Sequence, residues 1–246
     1  GEEAIDGSLE RGDDYGVGKR AFRADVRCKV LGTGKYPDDY NELDFPDMCH
    51  ASAVRSTYPR ARVLSVDVSE AEELPGVVGV LTAKDVPVNQ VGHLIQDWDV
   101  FIAEGDITRC VGDAICLVVA KDEGTLERAK RLVKVAYEPL EPVRGIAEAK
   151  AQGAPLIHDS FLAFGKIVQL HDNVCQSRHV TRGDAKVALA HSAHVVTKSF
   201  KTPFTEHAFL EPECAIAFPY EDGVKIISSD QGAYDTRKEV AHMLGW

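Results

Sequence analysis

Four places in this 246-residue chain hold side chains that could do chemistry. His207 and Glu211 stand four apart, the spacing at which two metal ligands share one face of a helix. Pro203 and Pro212 bracket them, however, and Phe204, Phe209 and Leu210 favour a strand, in which residues four apart lie about 13 Å from each other, too far to share an ion. A structural role suits both better. Glu211 and Glu213 flank Pro212 as a carboxylate pair of the kind that does acid and base work, although an edge or interface strand is the plainer account. Gly32-Thr33-Gly34-Lys35 has the look of a phosphate loop, but the four-residue gap between glycines and the Ser or Thr after Lys are missing. With Tyr36-Pro37 next, it reads as a surface turn. Gln231-Gly232 is the fourth place. It falls where a strand gives way to a helix, so the Gln231 amide and the N–H groups of Gly232 and Ala233 can converge on an anion or an oxo group. Alternatively, Asp230 or Ser229 simply caps that helix.

The elements around these residues follow from periodicity. Strands are expected at 48–54, 62–68 and 77–81, with a short helix at 70–74 behind a Ser69 cap and a turn at Pro75-Gly76. A long loop over 83–107 encloses Asp97-Trp98-Asp99. The apolar run 115–120, a helix from its Asp122 cap to about Val133, and a strand at 134–138 make the clearest α/β unit. The segment 139–181 has the Pro- and Gly-marked composition of a connector. Gly183-Asp184 opens a helix to His191, strands follow at 193–202, 208–218 and 224–228, and Tyr220-Glu221-Asp222-Gly223 makes a hairpin turn between the last two. Ala233 to Trp246 repeats apolar Val240, Met243 and Leu244 at helical spacing, with Gly245 as its one stop signal and nothing evident to cover its apolar face. The chain therefore reads as part of something longer.

Composition narrows the function. Asp and Glu number 39 against 28 Lys and Arg, a formal charge of −11, which disfavours nucleic acid or an anionic membrane as partner. No apolar run approaches the roughly 20 residues that span a bilayer, and the start lacks an export signal, so a cytoplasmic protein is expected. The six cysteines form no C-x-x-C pair and read as reduced core thiols.

Taken together, the motifs resemble the molybdenum-cofactor subunit of the xanthine dehydrogenase and aldehyde oxidase family. Gly18-Lys19-Arg20 with Asp25, KVLG at 29–32 and KYPDD at 35–39 resemble its opening segment. VRSTYPRARV at 54–63, LPGVV at 74–78, LTAKD at 81–85, Val111-Gly112-Asp113, VVA at 118–120 and YEPL at 137–140 resemble its α/β hammerhead domain. GAPLIH at 153–158, Arg182-Gly183-Asp184, EHAFLEPE at 206–213 and the run 229–244 resemble the start of its molybdopterin-binding region. Cys110 stands where an aromatic residue is usual, and Glu206 where many relatives carry Gln.

The resemblance implies an α/β (α+β) chain: an N-terminal arm over 1–24, a hammerhead-type mixed sheet with helices over 25–142, a connector over 143–181, and the first strands and helix of a molybdopterin-binding domain, truncated, over 182–246. It implies an oxidoreductase that hydroxylates a purine-like heterocycle or an aldehyde with oxygen from water. Molybdopterin would be the cofactor, and FAD-binding and 2Fe-2S iron–sulfur subunits or domains the electron-accepting partners in an oligomer. Gln231 matches the family glutamine whose amide approaches an oxygen ligand of molybdenum, with Gly232 beside it. The glutamate base, by the same resemblance, lies beyond Trp246, so Glu206, Glu211 and Glu213 do not replace it and this chain alone is expected to be inactive. A docking module without catalysis and a carbon monoxide dehydrogenase-like large subunit are the alternatives.

Overall fold

A computed structural model of the chain describes residues 17, 23, 25–93, 95–163, 166–209 and 213–246. Most of the expected arm, and Leu210, Glu211 and Pro212, lie outside the described residues. The chain divides into two compact units, Gly1–Asp47 with His207–Ser229 and Met48–Glu206 with Asp230–Trp246.

In the first unit, helix α1 (Val26–Leu31) stops at Gly32, whose φ of +69° is the left-handed conformation that glycine adopts without strain. The N–H groups of Thr33 and Gly34 then return to the Cys28 carbonyl at 2.9 and 3.2 Å, and Lys35 pairs with Asp44 at 2.5 Å. This is the surface turn expected at 32–35, with its lysine engaged by a carboxylate.

The second unit is built on one strand. After β1 (His50–Arg55), β2 (Ala61–Asp67), α2 (Ser69–Glu72), β3 (Val77–Thr82) and the two-residue β4 (Gln90–Val91) and β5 (Trp98–Asp99) comes β6 (Ala114–Ala120), followed by α3 (Glu123–Leu132) and β7 (Lys134–Pro139). Strand β6 lies between β1 and β3, and its alternating side chains serve both faces. Cys116, Val118 and Ala120 enter a core with Ala71, Val80, Leu126 and Ala129, while Ile115 joins Val63 and Ile102 in a second cluster. Asp122 caps α3, as expected: its carboxylate accepts from the N–H and the hydroxyl of Thr125, both at 2.8 Å. Helix α2 differs in detail. Its cap position is Val68, and Ser69 donates its N–H and hydroxyl back to Asp67.

The mixture of helices and sheet is the expected α/β class, carried by small sheets whose strands, among the described residues, all pair antiparallel. The β6–α3–β7 crossover makes no parallel pair because it does not return to its own sheet: β7 pairs with β2. Two expectations are corrected. The loop over 83–107 contains the β4–β5 ladder, braced by Asn89, whose side chain donates to the Phe101 carbonyl at 2.7 Å and accepts from its N–H at 3.0 Å. The connector contains α4 (Ile146–Ala149) and a hairpin of β8 (Ser160–Ala163) and β9 (Lys166–Gln169). Its sparse apolar residues gave no two-residue alternation to read.

Helix α5 (Ala185–Ala190) starts after Gly183-Asp184, as expected, and the structure adds that the Asp184 carboxylate caps it, accepting from Val187 N–H at 3.0 Å. The expected strand at 193–202 is instead irregular and exposed; of the expected strand at 208–218, the described residues 208, 209, 213 and 214 are irregular and Ala215 onward forms β10 (Ala215–Tyr220). The residue types favour extended chain, but a strand needs a neighbour for its N–H and C=O groups, and among the described residues none pairs with 193–202. Strand β10 does have one: β11 (Gly223–Ser228) across a two-residue turn at Glu221 and Asp222, with Glu221 at φ +51° as mirror-image hairpin turns require.

Helix α6 (Ala233–Met243) ends in a self-contained stop. Gly245, at φ +75°, donates to His242 O at 3.0 Å, and Trp246 donates to Ala241 O at 2.9 Å. Its apolar stripe, expected to find no cover, is half-buried: Val240 and Met243 line a space with Val91 and Val100, and Val88 N–H bonds to Met243 O at 3.1 Å.

Ile115, 1% exposed between two elements of core, sets a stability test. Ile115→Ala should lose about 2–5 kcal/mol in urea denaturation. The α3 cap sets a pH test. Hydrogen bonds from the Thr125 backbone, then from its hydroxyl, hold Asp122 below its ordinary carboxylate value. The cap's contribution is therefore complete above that ordinary value and fades as acid carries the pH through the lowered one. Thermal melts from pH 7 to pH 2 should show a smaller acid-induced fall in Tm for Asp122→Asn than for the parent.

Candidate functional site

Gln231 lies in the bend that enters α6, with an exposed side chain that makes no hydrogen bond to other described residues. The cap position of α6 is Gly232, at φ −137°, and among the described residues no side chain caps it. Neither Asp230 nor Ser229 takes that role. The Gly232 carbonyl accepts from Asp235 and Thr236 N–H at 2.9 and 3.0 Å, which starts the helix, and no described residue accepts from the N–H groups of Ala233 and Tyr234. A β-carbon at Gly232 would meet only the Asp235 side chain, its carboxylate at 3.1 Å. A φ of −137° does not demand glycine here. Asp235 places one negative charge in the first turn, 3.5 Å from His93 Nδ1.

A second constellation, the turn Val111-Gly112-Asp113, has a role that the sequence did not reveal. Asp113 is 4% exposed, and its Oδ2 accepts from the N–H groups of Arg109 and Cys110 at 2.5 and 3.2 Å, while Oδ1 accepts from the Cys110 thiol at 3.1 Å. Gly112, at φ +99°, donates to Ser56 O at 2.9 Å, and Ser56 N–H returns to Asp113 O at 2.8 Å. This carboxylate organises a turn, with both oxygens committed. The signal available in the sequence was an acidic residue following a glycine before an apolar strand.

Beside that turn is a cleft of about 370 Å³, lined by Arg60, Arg62, Asp99, Asp106, Arg109 and Asp159 among others. Its arginines are engaged: Arg60 with Glu141 O, Arg62 with Gly105 O at 2.6 Å, and Arg109 with Asp99 at 2.5 Å. Burial, and next the charge of Asp99, raise the Asp106 carboxyl above its usual value.

No cluster of three His, Cys, Asp or Glu suited to a metal ion occurs among the described residues, and no described helix is long and apolar enough to cross a membrane. Glu211 is not described, so its pairings with His207 and Glu213 are not either. His207 and Glu213 are exposed, in irregular chain. The six cysteines form no disulfide, as expected, but only Cys116 is a core residue; Cys49, Cys110 and Cys175 are exposed and the other two intermediate. Their neighbours explain it, because only Cys116 lies on a strand covered on both faces.

With this geometry in hand, the comparisons give the family. Residues 31–141 match the family described as aldehyde oxidase and xanthine dehydrogenase, a/b hammerhead domain, and residues 167–246 match the molybdopterin cofactor-binding domain. The chain belongs to the xanthine dehydrogenase and aldehyde oxidase family and carries the hammerhead domain and the start of the molybdopterin-binding domain of its molybdenum-cofactor subunit. It is 33% identical over 236 residues to the nicotinate dehydrogenase large molybdopterin subunit of Eubacterium barkeri, covering 95% of this chain and 52% of that protein. It is 32% identical over 223 residues to a probable xanthine dehydrogenase subunit of Bacillus subtilis, covering 90% and 28%. Among solved structures, the aldehyde oxidoreductase of Desulfovibrio gigas superposes with a TM-score of 0.73 at 26% identity, over 91% of this chain and 25% of that one. Quinoline 2-oxidoreductase of Pseudomonas putida 86 gives 0.70 at 27%, over 92% and 28%. The chain thus spans about half or less of these relatives.

Cys110 offers a chemical check on the turn. Cys110 is exposed as a residue but its sulfur sits against Asp113: desolvation of the thiol first, and then the Asp113 carboxylate that accepts from it, push it up to about 11. At pH 8 iodoacetamide should label exposed Cys175 well before Cys110, with mass spectrometry as the readout, and Asp113→Asn should accelerate labelling at Cys110.

Proposed function

We propose that this chain is the front part of the large subunit of a molybdenum hydroxylase, an oxidoreductase that places a water-derived oxygen on an electron-poor carbon of a purine-like heterocycle or an aldehyde. The observation that carries the reading is the exposed Gln231 amide at the uncapped start of α6, within the region that matches the cofactor-binding domain. These residues fit a cofactor bearing oxygen ligands: an amide N–H₂ and the first N–H groups of a helix are donors awaiting acceptors. When bound, molybdopterin with its metal supplies the oxygen transfer and the two-electron oxidation.

The role of this chain is to hold and orient. Gln231 would hold the cofactor through its amide N–H₂, Gly232 would leave that approach free of a side chain, and the helix start would favour negative charge there. Electrons pass to iron–sulfur and FAD-binding subunits or domains, a reading supported by relatives that are themselves named as subunits. Within the assembled enzyme, a cytoplasmic oligomer, the chain contributes an arm over 1–24, a hammerhead domain over 25–142, a connector over 143–181 and the cofactor-binding start over 182–246.

In the assembled enzyme containing this chain, Gln231→Ala should cut kcat about 100-fold, the usual loss for one donor at a site of developing charge, with molybdenum content retained. Unchanged kcat would remove Gln231 from the site. A parent enzyme that hydroxylates none of xanthine, hypoxanthine, nicotinate, quinoline or an aldehyde, with dye as acceptor, would sink the reaction itself.

A further inference from the structure

Helix α6 is held at both ends by one short piece of the hammerhead domain, which follows it in the opposite direction. At the start of the helix His93 Nδ1 lies 3.5 Å from Asp235 Oδ2. Further along, Val91 lines the same spaces as Glu239 and Val240. At its end Val88 N–H donates to Met243 O at 3.1 Å, and a β-carbon on Gly245 would lie 3.6 Å from Pro87 Cβ. Asp235 and Met243 stand about 12 Å apart along the axis at 1.5 Å of rise per residue. Two anchors with that separation fix the direction of a helix, which one anchor cannot do.

This seat is tied to the core of the larger unit. Strand β4 pairs with β5, and Asn89, which braces that ladder through Phe101, also accepts at its own carbonyl from Val100 N–H at 3.1 Å. The next residue, Ile102, is 2% exposed and donates to Ala114 O at 2.8 Å, where β6 begins. The path from the central strand to the helix is therefore continuous. The His93 and Asp235 side chains are 62% and 54% exposed, and a pair so placed adds little to stability. Its position is what matters. It holds the first turn of α6, and the Asp235 carboxylate is the group that a β-carbon on Gly232 would meet.

Resting on the reading of Gln231 given above, we propose that His93 and Asn89 are positioning residues for that amide. His93 fixes the first turn of α6 through Asp235, and Asn89 fixes the seat on which the helix lies. The hammerhead domain thereby sets the direction in which Gln231 points, acting through α6.

The assembled enzyme containing this chain tests the proposal. His93→Ala should lower kcat about 10-fold with KM changed less than about twofold and molybdenum content retained. It should also shift the electron paramagnetic resonance signal of the reduced molybdenum centre. His93→Asn, whose amide nitrogen can stand where Nδ1 stands, should restore both. Without any turnover, hydrogen exchange read by mass spectrometry should show the amides of 233–243 exchanging about 5-fold faster or more in His93→Ala and in Asn89→Ala, with those of 114–120 unchanged. Helix exchange unaltered in both variants overturns the proposal, as does faster exchange with kcat and resonance signal unchanged, which would make the seat structural only. Gln231→Ala, run alongside, separates the two readings: a loss of kcat there with none in His93→Ala condemns this proposal alone, and no loss in either condemns the reading beneath it. If Asn89→Ala fails to fold, His93→Ala, at its exposed site, decides alone.

Discussion

Strand β6 is the constraint from which the larger unit follows. It is hydrogen-bonded on both edges, to β1 and β3, and buried on both faces, with Cys116, Val118 and Ala120 to one side and Ile115 to the other. A strand enclosed in this way must be apolar throughout, which is why 114–120 reads AICLVVA without alternation. Its neighbours take their places from it. Helix α3 covers one face with Leu126 and Ala129, and β2 brings Val63 to the other. The turn entering β6 is fixed by Asp113, so the start of the strand and the Ser56 loop at the end of β1 are locked together.

Away from that strand, order depends on local devices. Single side chains close each loop: Asn89 on Phe101, Asp113 on the residues before β6, Asn173 across the connector, Asp184 at α5. Each satisfies backbone groups that no neighbouring strand reaches. The open start of α6 contrasts with α3 and α5, the other helices of the larger unit longer than a single turn, each of which begins with an Asp whose side chain caps it. Helices α1, α2 and α4 also begin without a side-chain cap, so what distinguishes the start of α6 is its place in the region that matches the cofactor-binding domain.

The sequence was legible where a structural preference and a packing partner coincide. The Asp122 cap, the helix opening at Gly183-Asp184, β6, β7 and the 220–223 turn all have their partners within the chain, and local chemistry named them correctly. It was misleading where a preference lacks a partner: Val195, Val196 and Phe200 favour extended structure but have no ladder to join among the described residues. It was silent where a fold rests on one carboxylate or amide, as at Asp113 and Asn173, because such bonds leave no periodicity. Of the candidate site, Gln231 and Gly232 were readable from their position between strand and helix, whereas the charged cleft was not, its residues coming from segments as far apart in the chain as Arg60 and Asp159.

The irregular stretch after α5 carries a consequence for handling the protein. Val196 is 80% exposed, Phe200 88% and Phe204 108%, on irregular chain that joins no ladder among the described residues, the combination that invites apolar self-association. A formal charge of −11 sets copies of the molecule against each other at low ionic strength. Salt screens that repulsion over roughly 10 Å at 0.1 M without weakening apolar contact. Dilute buffer therefore favours dispersed molecules, and salting the solution is the condition under which these surfaces find one another.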